Sequence, residues 1–186
     1  MADFDRLQNN IIDMLIEQQL KLGYMNERVA LYYPLESIQA LLDVTLDEVS
    51  LKSVLEQFSA STKEIFGGIT FSSNKGRFCL RVPPSGGAYV HEMMERQTDN
   101  KFEFLREFLN CVVKHGVLIE DLVNVFNKYS NHVAIKRLKE DEFDYLIYFE
   151  DCKPDDYRYC IKYEGEHATY HRFTVQDFEK FGFTIM

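Results

Sequence analysis

The residue types that carry metal, acid–base and nucleophilic chemistry are all present in this chain, and their spacing argues against each use in turn. His167 and His171, in "HATYH", share one face of a strand, where side-chain direction repeats every two residues. At ~3.3 Å per residue they stand roughly 13 Å apart, too far to ligate one metal ion. Cys111 and His115 lie four residues apart in a helical stretch, a spacing that brings a thiol to a base. A cysteine on an apolar helix face reads first as core, however. Ten carboxylates crowd residues 140–166, including Glu140, Asp141, Asp144, Asp155 and Asp156. They lack the alternating ligands, central glycine and terminal glutamate of an EF-hand. They read as turn and edge-strand charges that keep a sheet from pairing with its neighbours. The alternative is that the tract forms an electronegative surface that docks a basic partner, which charge reversal at Asp155 and Asp156 would test. No GxSxG, HExxH, phosphate-binding glycine loop or dinucleotide fingerprint occurs. The sequence therefore assigns no catalytic residue, cofactor or metal ligand, and a non-enzyme is favoured.

Binding chemistry is more legible. Residues 34–57, "PLESIQALLDVTLDEVSLKSVLEQF", have the cadence of two helices hinged at a tight corner, as in a helix-turn-helix. A DNA-reading second helix offers Arg, Lys, Asn or Gln to base edges and cations to phosphates. This one offers Asp47, Glu48, Ser50, Lys52, Ser53, Glu56 and Gln57. The cations gather instead in a hairpin at 69–82, where Lys75, Arg77 and Arg81, with Lys63 upstream, are the candidate nucleic-acid contacts. A net charge of -9 opposes that use by repelling phosphate at long range. Tyr24, Tyr32 and Tyr33 are candidate interaction or pocket residues, since aromatic side chains anchor interfaces.

These groups need a frame. Leu7, Ile11, Met14, Leu15 and Leu22 recur at helical spacing, with Gly23 as the stop. Pro34 opens a short helix through Leu42, and Thr45 with Glu48 has the form of a capping box for the next one. After "FGG" the period changes to two: "ITFSSNKGRFCLRV" predicts a β-hairpin, closed by the turn-like "VPPSGG". Three helices followed by a hairpin is the order of a winged helix-turn-helix. From Ala88 the spacing is again helical through Gly116 and then along "VLIEDLVNVFNKYS". "HVAIKRL", "FDYLIYFE", "YRYCIKYE" and "ATYHRFTV" predict antiparallel strands, and "VQDFEKFG" a last short helix. In "CKPDDYRYC" a symmetric hairpin would bring Cys152 to Cys160 within disulfide reach. The 11 tyrosines and 15 phenylalanines, with no tryptophan, are mostly packing material. No stretch approaches a membrane span and no leader is evident, so the chain reads as cytoplasmic, with no membrane partner.

One stretch resembles a known family. "EQQLKLGYMNERVALYYPLESIQALL", residues 17–42, is similar to the opening of a family of bacterial proteins known as a domain of unknown function. Leu20, Gly23, Tyr24, Leu31, Tyr32, Tyr33, Pro34 and Leu35 carry the likeness, which covers about the first quarter of the chain. It implies a bacterial, cytoplasmic setting and carries over no activity, cofactor or catalytic residue.

The expected protein is α+β. A winged-helix-like helical region with a β-hairpin spans 1–87, and helices with a four-stranded antiparallel sheet span 88–186. The expected function is a non-enzymatic protein-interaction or regulatory module with a protein partner. The alternatives are a DNA-binding regulator acting through the 69–82 hairpin, and a small-ligand binder or enzyme with a pocket between the halves.

Overall fold

A computed structural model describes residues 2–96, 100–139 and 142–182. The chain divides into two compact units, Met1–Thr98 and Asp99–Met186, where the sequence reading sets its boundary at 87/88.

The first unit begins with α1 (Phe4–Leu22). Its Leu7, Ile11 and Leu15 recur every four residues and are fully buried, while Asp3 caps the helix by accepting from the Arg6 amide. A strand missing from the sequence reading follows: β1 (Val29–Pro34), which pairs with the hairpin. The expectation took "ALYYPLES" as the approach to a helix. In fact Leu31 and Tyr33 turn inward while Ala30, Tyr32 and Pro34 turn outward, the period of a half-buried strand. Then come α2 (Leu35–Leu42), α3 (Glu48–Ser61), the single turn α4 (Lys63–Phe66), and the hairpin strands β2 (Thr70–Asn74) and β3 (Arg77–Val82). The cap of α3 is Asp47, which accepts from the Ser50 amide at 2.8 Å, and not the expected Thr45. A carboxylate at that position also meets the positive end of the helix dipole. Lys75 and Gly76 both adopt positive φ, as the tight two-residue hairpin turn requires. The sheet order is β1-β3-β2, all antiparallel.

The turn expected at "VPPSGG" is instead the start of α5 (Pro84–Arg96). Proline suits the first helical turn, where its missing N–H is not needed. Gly86 is there for proximity: a Cβ at this position would lie 2.5 Å from the Val82 side chain. Its absence lets α5 lie close against α4.

The second unit comprises α6 (Asn100–Val112), α7 (Ile119–Asn127), β4 (Val133–Arg137), β5 (Tyr145–Phe149), β6 (Arg158–Glu164), β7 (His167–Phe173) and α8 (Val175–Phe181). The four strands form the expected antiparallel sheet, and their order is that of the chain, a meander. Tyr159, Cys160 and Ile161 of β6 are all fully buried, so that strand is covered on both faces. On one face Tyr159 meets Phe104, Phe108 and Phe126 edge-on, with centroids 4.9–5.8 Å away. On the other, Cys160 packs with Leu138, Phe143, Leu146 and Phe173, and with Phe178 of α8. Cys160 stands opposite Leu146, and Cys152 is exposed in the 150–157 loop, so no disulfide joins them. No described helix is long and apolar enough to cross a membrane.

Candidate functional site

The outward surface of α3 decides what α2 and α3 can hold. Leu51, Leu55 and Phe58 face the core. Outward stand Val49, 76% exposed, and Ser50, Ser53, Glu56 and Gln57. The one cation, Lys52, lies 3.5 Å from the Glu48 carboxylate one turn earlier. The Ser73 hydroxyl donates to that same carboxylate, which holds its pKa below the ordinary value, with Lys52 adding to the effect. The helix thus presents an apolar and acidic surface where a DNA reader needs cations.

The hairpin cations are arranged differently. Lys75 occupies the turn, and Lys63 lies apart on α4. Arg77 and Arg81 alternate with the buried Phe78, Leu80 and Val82, so both project from the outer face of the sheet. Arg81 donates to the Ser72 hydroxyl of β2 at 3.0 Å. On β1 the outward positions are Ala30, opposite Arg81, Tyr32, opposite Cys79, and Pro34, opposite Arg77. Tyr32 therefore stands between the two arginines and is 70% exposed. With Thr70, Ser72 and Asn74 outward on β2, the face carries two arginines and no carboxylate.

The three candidate tyrosines part company. Tyr33 points to the opposite face, is buried, and donates to the Asn10 side-chain oxygen at 2.8 Å, with the Met14 sulfur at 3.1 Å. Burial pushes its hydroxyl far above the ordinary pKa. Tyr24 stacks on His91 of α5 at 4.3 Å and 8°. Only Tyr32 meets solvent beside the arginines.

β1 is an edge strand. The Leu35 amide donates to the Gly76 carbonyl, so the hydrogen-bonded pairs to β3 fall at Val29, Leu31 and Tyr33. Ala30 and Tyr32 then direct both N–H and C=O to the open edge. A groove of about 540 Å³ runs along it, lined by residues of α1 from Met14 to Leu22, by Glu27 and Arg28, and by Val29, Ala30 and Leu31 of β1. No β3 residue lines it, which sets it on the free side of β1. Leu22 is 66% exposed there, and Lys21 holds Glu17 at 2.8 Å. Sequence reasoning missed this edge. The alternation in "VALYYP" is the signal that marks it.

In the second unit the chemical groups are engaged in structure. Asp155, read from sequence as a surface charge, is buried: it accepts from the Tyr159 hydroxyl at 2.7 Å and from the Tyr157 amide at 3.2 Å. Arg172, paired across the strands with Tyr159, lies 4.0 Å from the Asp155 carboxylate and over the Tyr157 ring at 4.2 Å. Burial raises the Asp155 pKa, and Arg172 opposes that rise. Asp155 therefore adds no exposed charge to an acidic docking surface, whereas Asp156 beside it is exposed. Glu140 and Asp141 lie outside the described residues. Cys111 is buried near the end of α6, and desolvation raises its thiol pKa, the reverse of an activated nucleophile. His115 meets Glu166 at 2.8 Å and the His167 ring at 5.1 Å on the surface. Among the described residues no group of three or more His, Cys, Asp or Glu side chains is placed to hold a metal ion.

The chain belongs to the family described as "Domain of unknown function, E. rectale Gene description (DUF3877)", matched over residues 4–182. No curated protein and no solved structure matches it.

Proposed function

We propose that the first unit is a winged-helix frame used for protein contacts, in a non-enzymatic interaction or regulatory protein of the bacterial cytoplasm. The order α1-β1-α2-α3-β2-β3, with β1 laid against the hairpin, supports the winged-helix reading. The surface of α3 carries the proposal. Val49 is exposed, Asp47 and Glu48 occupy the first turn, and Lys52 is spent on Glu48, so phosphate finds repulsion where a groove-reading helix supplies attraction. An exposed apolar side chain rimmed by polar ones suits a protein partner.

Titration against mixed-sequence duplex DNA at roughly 50 and 200 mM salt tests this, because a protein that neutralises several phosphates loses orders of magnitude in affinity over that range. The expected result is no binding at either salt. Tight binding at low salt that collapses at high salt and disappears in Arg77→Glu would overturn it in favour of a DNA-binding wing.

A further inference from the structure

Sheet edges invite foreign strands, and proteins commonly guard them with charge. In the second unit the edge strand β4 follows that practice with Lys136 and Arg137. β1, "VALYYP", carries no charge and ends at Pro34; β2, "TFSSN", at the other edge of the sheet carries none either, and it is the groove beside β1 that sets β1 apart. Beside it lies a groove whose volume suits a few residues of extended chain and not a folded domain.

We propose that β1 accepts an extended segment of a partner protein as a fourth strand, with alternating apolar and acidic side chains. This rests on the protein-contact reading and names the partner's chemistry. Main-chain hydrogen bonds to Ala30 and Tyr32 supply the pairing, and alternate side chains divide between the two faces. Those turned inward enter the groove, where Met14, Leu22 and Leu31 meet apolar side chains and Glu17, Lys21, Glu27 and Arg28 complete the lining, so the acids of the segment belong on the other face. Those turned outward lie on the face whose outward strand positions include Arg77 and Arg81 and no carboxylate, in a chain whose net charge is -9. Ala30, being small, leaves the way open from the added strand towards Arg81. A second copy of β1 fits less well, because it brings no acid to the arginines. Pro34 offers no outward N–H, so the added strand is short.

The test uses the full chain and a fluorescein-labelled peptide of alternating valine and glutamate, read by anisotropy. The controls are a valine–lysine peptide, the glutamate peptide N-methylated at alternate residues, and single-stranded oligothymidylate. The glutamate peptide should bind and shift the Ala30 and Tyr32 amide resonances, while the lysine and N-methylated peptides do not. Arg77→Glu with Arg81→Glu should weaken it on the order of tenfold or more. Ala30→Pro removes one outward N–H and spares the bonds to β3, so it should abolish binding. If that variant fails to fold, the N-methylated peptide still decides the matter. Equal binding of glutamate and lysine peptides would overturn the acidic partner, and binding indifferent to N-methylation would overturn strand addition. Oligothymidylate binding that is lost in the arginine variants would make the face a nucleic-acid platform and overturn both. Failure of every peptide without duplex binding removes the strand proposal alone, whereas duplex binding removes the protein-contact reading itself.

Discussion

The two sheets treat their surfaces in opposite ways. In the second unit β6 is sealed on both sides, by a cluster of aromatic rings on one and by Leu146, Phe173 and Phe178 on the other. In the first, β3 turns Phe78, Leu80 and Val82 into the core and gives Arg77 and Arg81 to an outer face that also shows Tyr32. The titratable groups divide in the same way. Asp155, Tyr159 and Arg172 use charge to fasten the 150–157 loop from beneath, while Arg77 and Arg81 hold theirs where a partner can reach it. One sheet spends its chemistry on its own integrity, and the other leaves chemistry unspent at a face and an edge.

The contrast yields a graded set of outcomes. Phe104→Ala should cost the most, about 4 kcal/mol in urea unfolding, as expected of a large ring removed from a close-packed core. Phe104 meets Phe126 at 4.8 Å and Phe149 at 4.9 Å, so the cavity has little means of collapsing. Arg172→Met should cost about 3 kcal/mol near neutral pH, because it leaves the buried Asp155 carboxylate without its cation. Burial already holds the folded pKa of Asp155 above its unfolded value, and losing the arginine raises it further. An acid raised in the folded state binds its proton more tightly there. The deficit should consequently shrink as the pH falls from neutral towards that folded value, which repeated urea titrations would detect. A deficit that grows on acidification would contradict the buried-carboxylate picture. Gly86→Val should destabilise by about 2 kcal/mol through overpacking against Val82 and Phe66, seen as a lower urea midpoint with an unchanged slope. Tyr32→Ala should change stability by less than about 0.5 kcal/mol, as befits a surface side chain, while weakening the glutamate peptide. A large stability loss from Tyr32→Ala would mean that the open face is itself a packed one.

Much of the fold was legible because local period and tertiary environment agree. The four strands of the second unit follow from alternation and turn residues, and α6 from the apolar spacing of Phe102, Leu105, Phe108, Leu109, Val112 and Val113, of which Val113 alone is exposed. Legibility failed where a local signal has two meanings. Pro34 both ends β1 and caps α2, so reading it as a helix start hid the strand before it. "PPSGG" has the composition of a turn, yet its prolines open α5 and its glycines permit a close helix contact, a requirement set by Val82 and Phe66 from elsewhere in the chain. Asp155 looked like one turn carboxylate among ten, and only the pairing of β6 with β7 supplies the Tyr159 and Arg172 that keep it buried. Of the candidate site, Arg77 and Arg81 could be named in advance. Their union with Tyr32 could not, because it depends on the register of an unforeseen strand.

The exposure of Tyr32 also has an optical consequence. The chain contains no tryptophan, so its native emission comes from tyrosine. Tyr32→Trp would install a lone indole at a solvent-facing position between two guanidinium groups, away from the close-packed interior. Selective excitation would then see that face and nothing else, and a blue shift on adding a ligand would report its desolvation in real time.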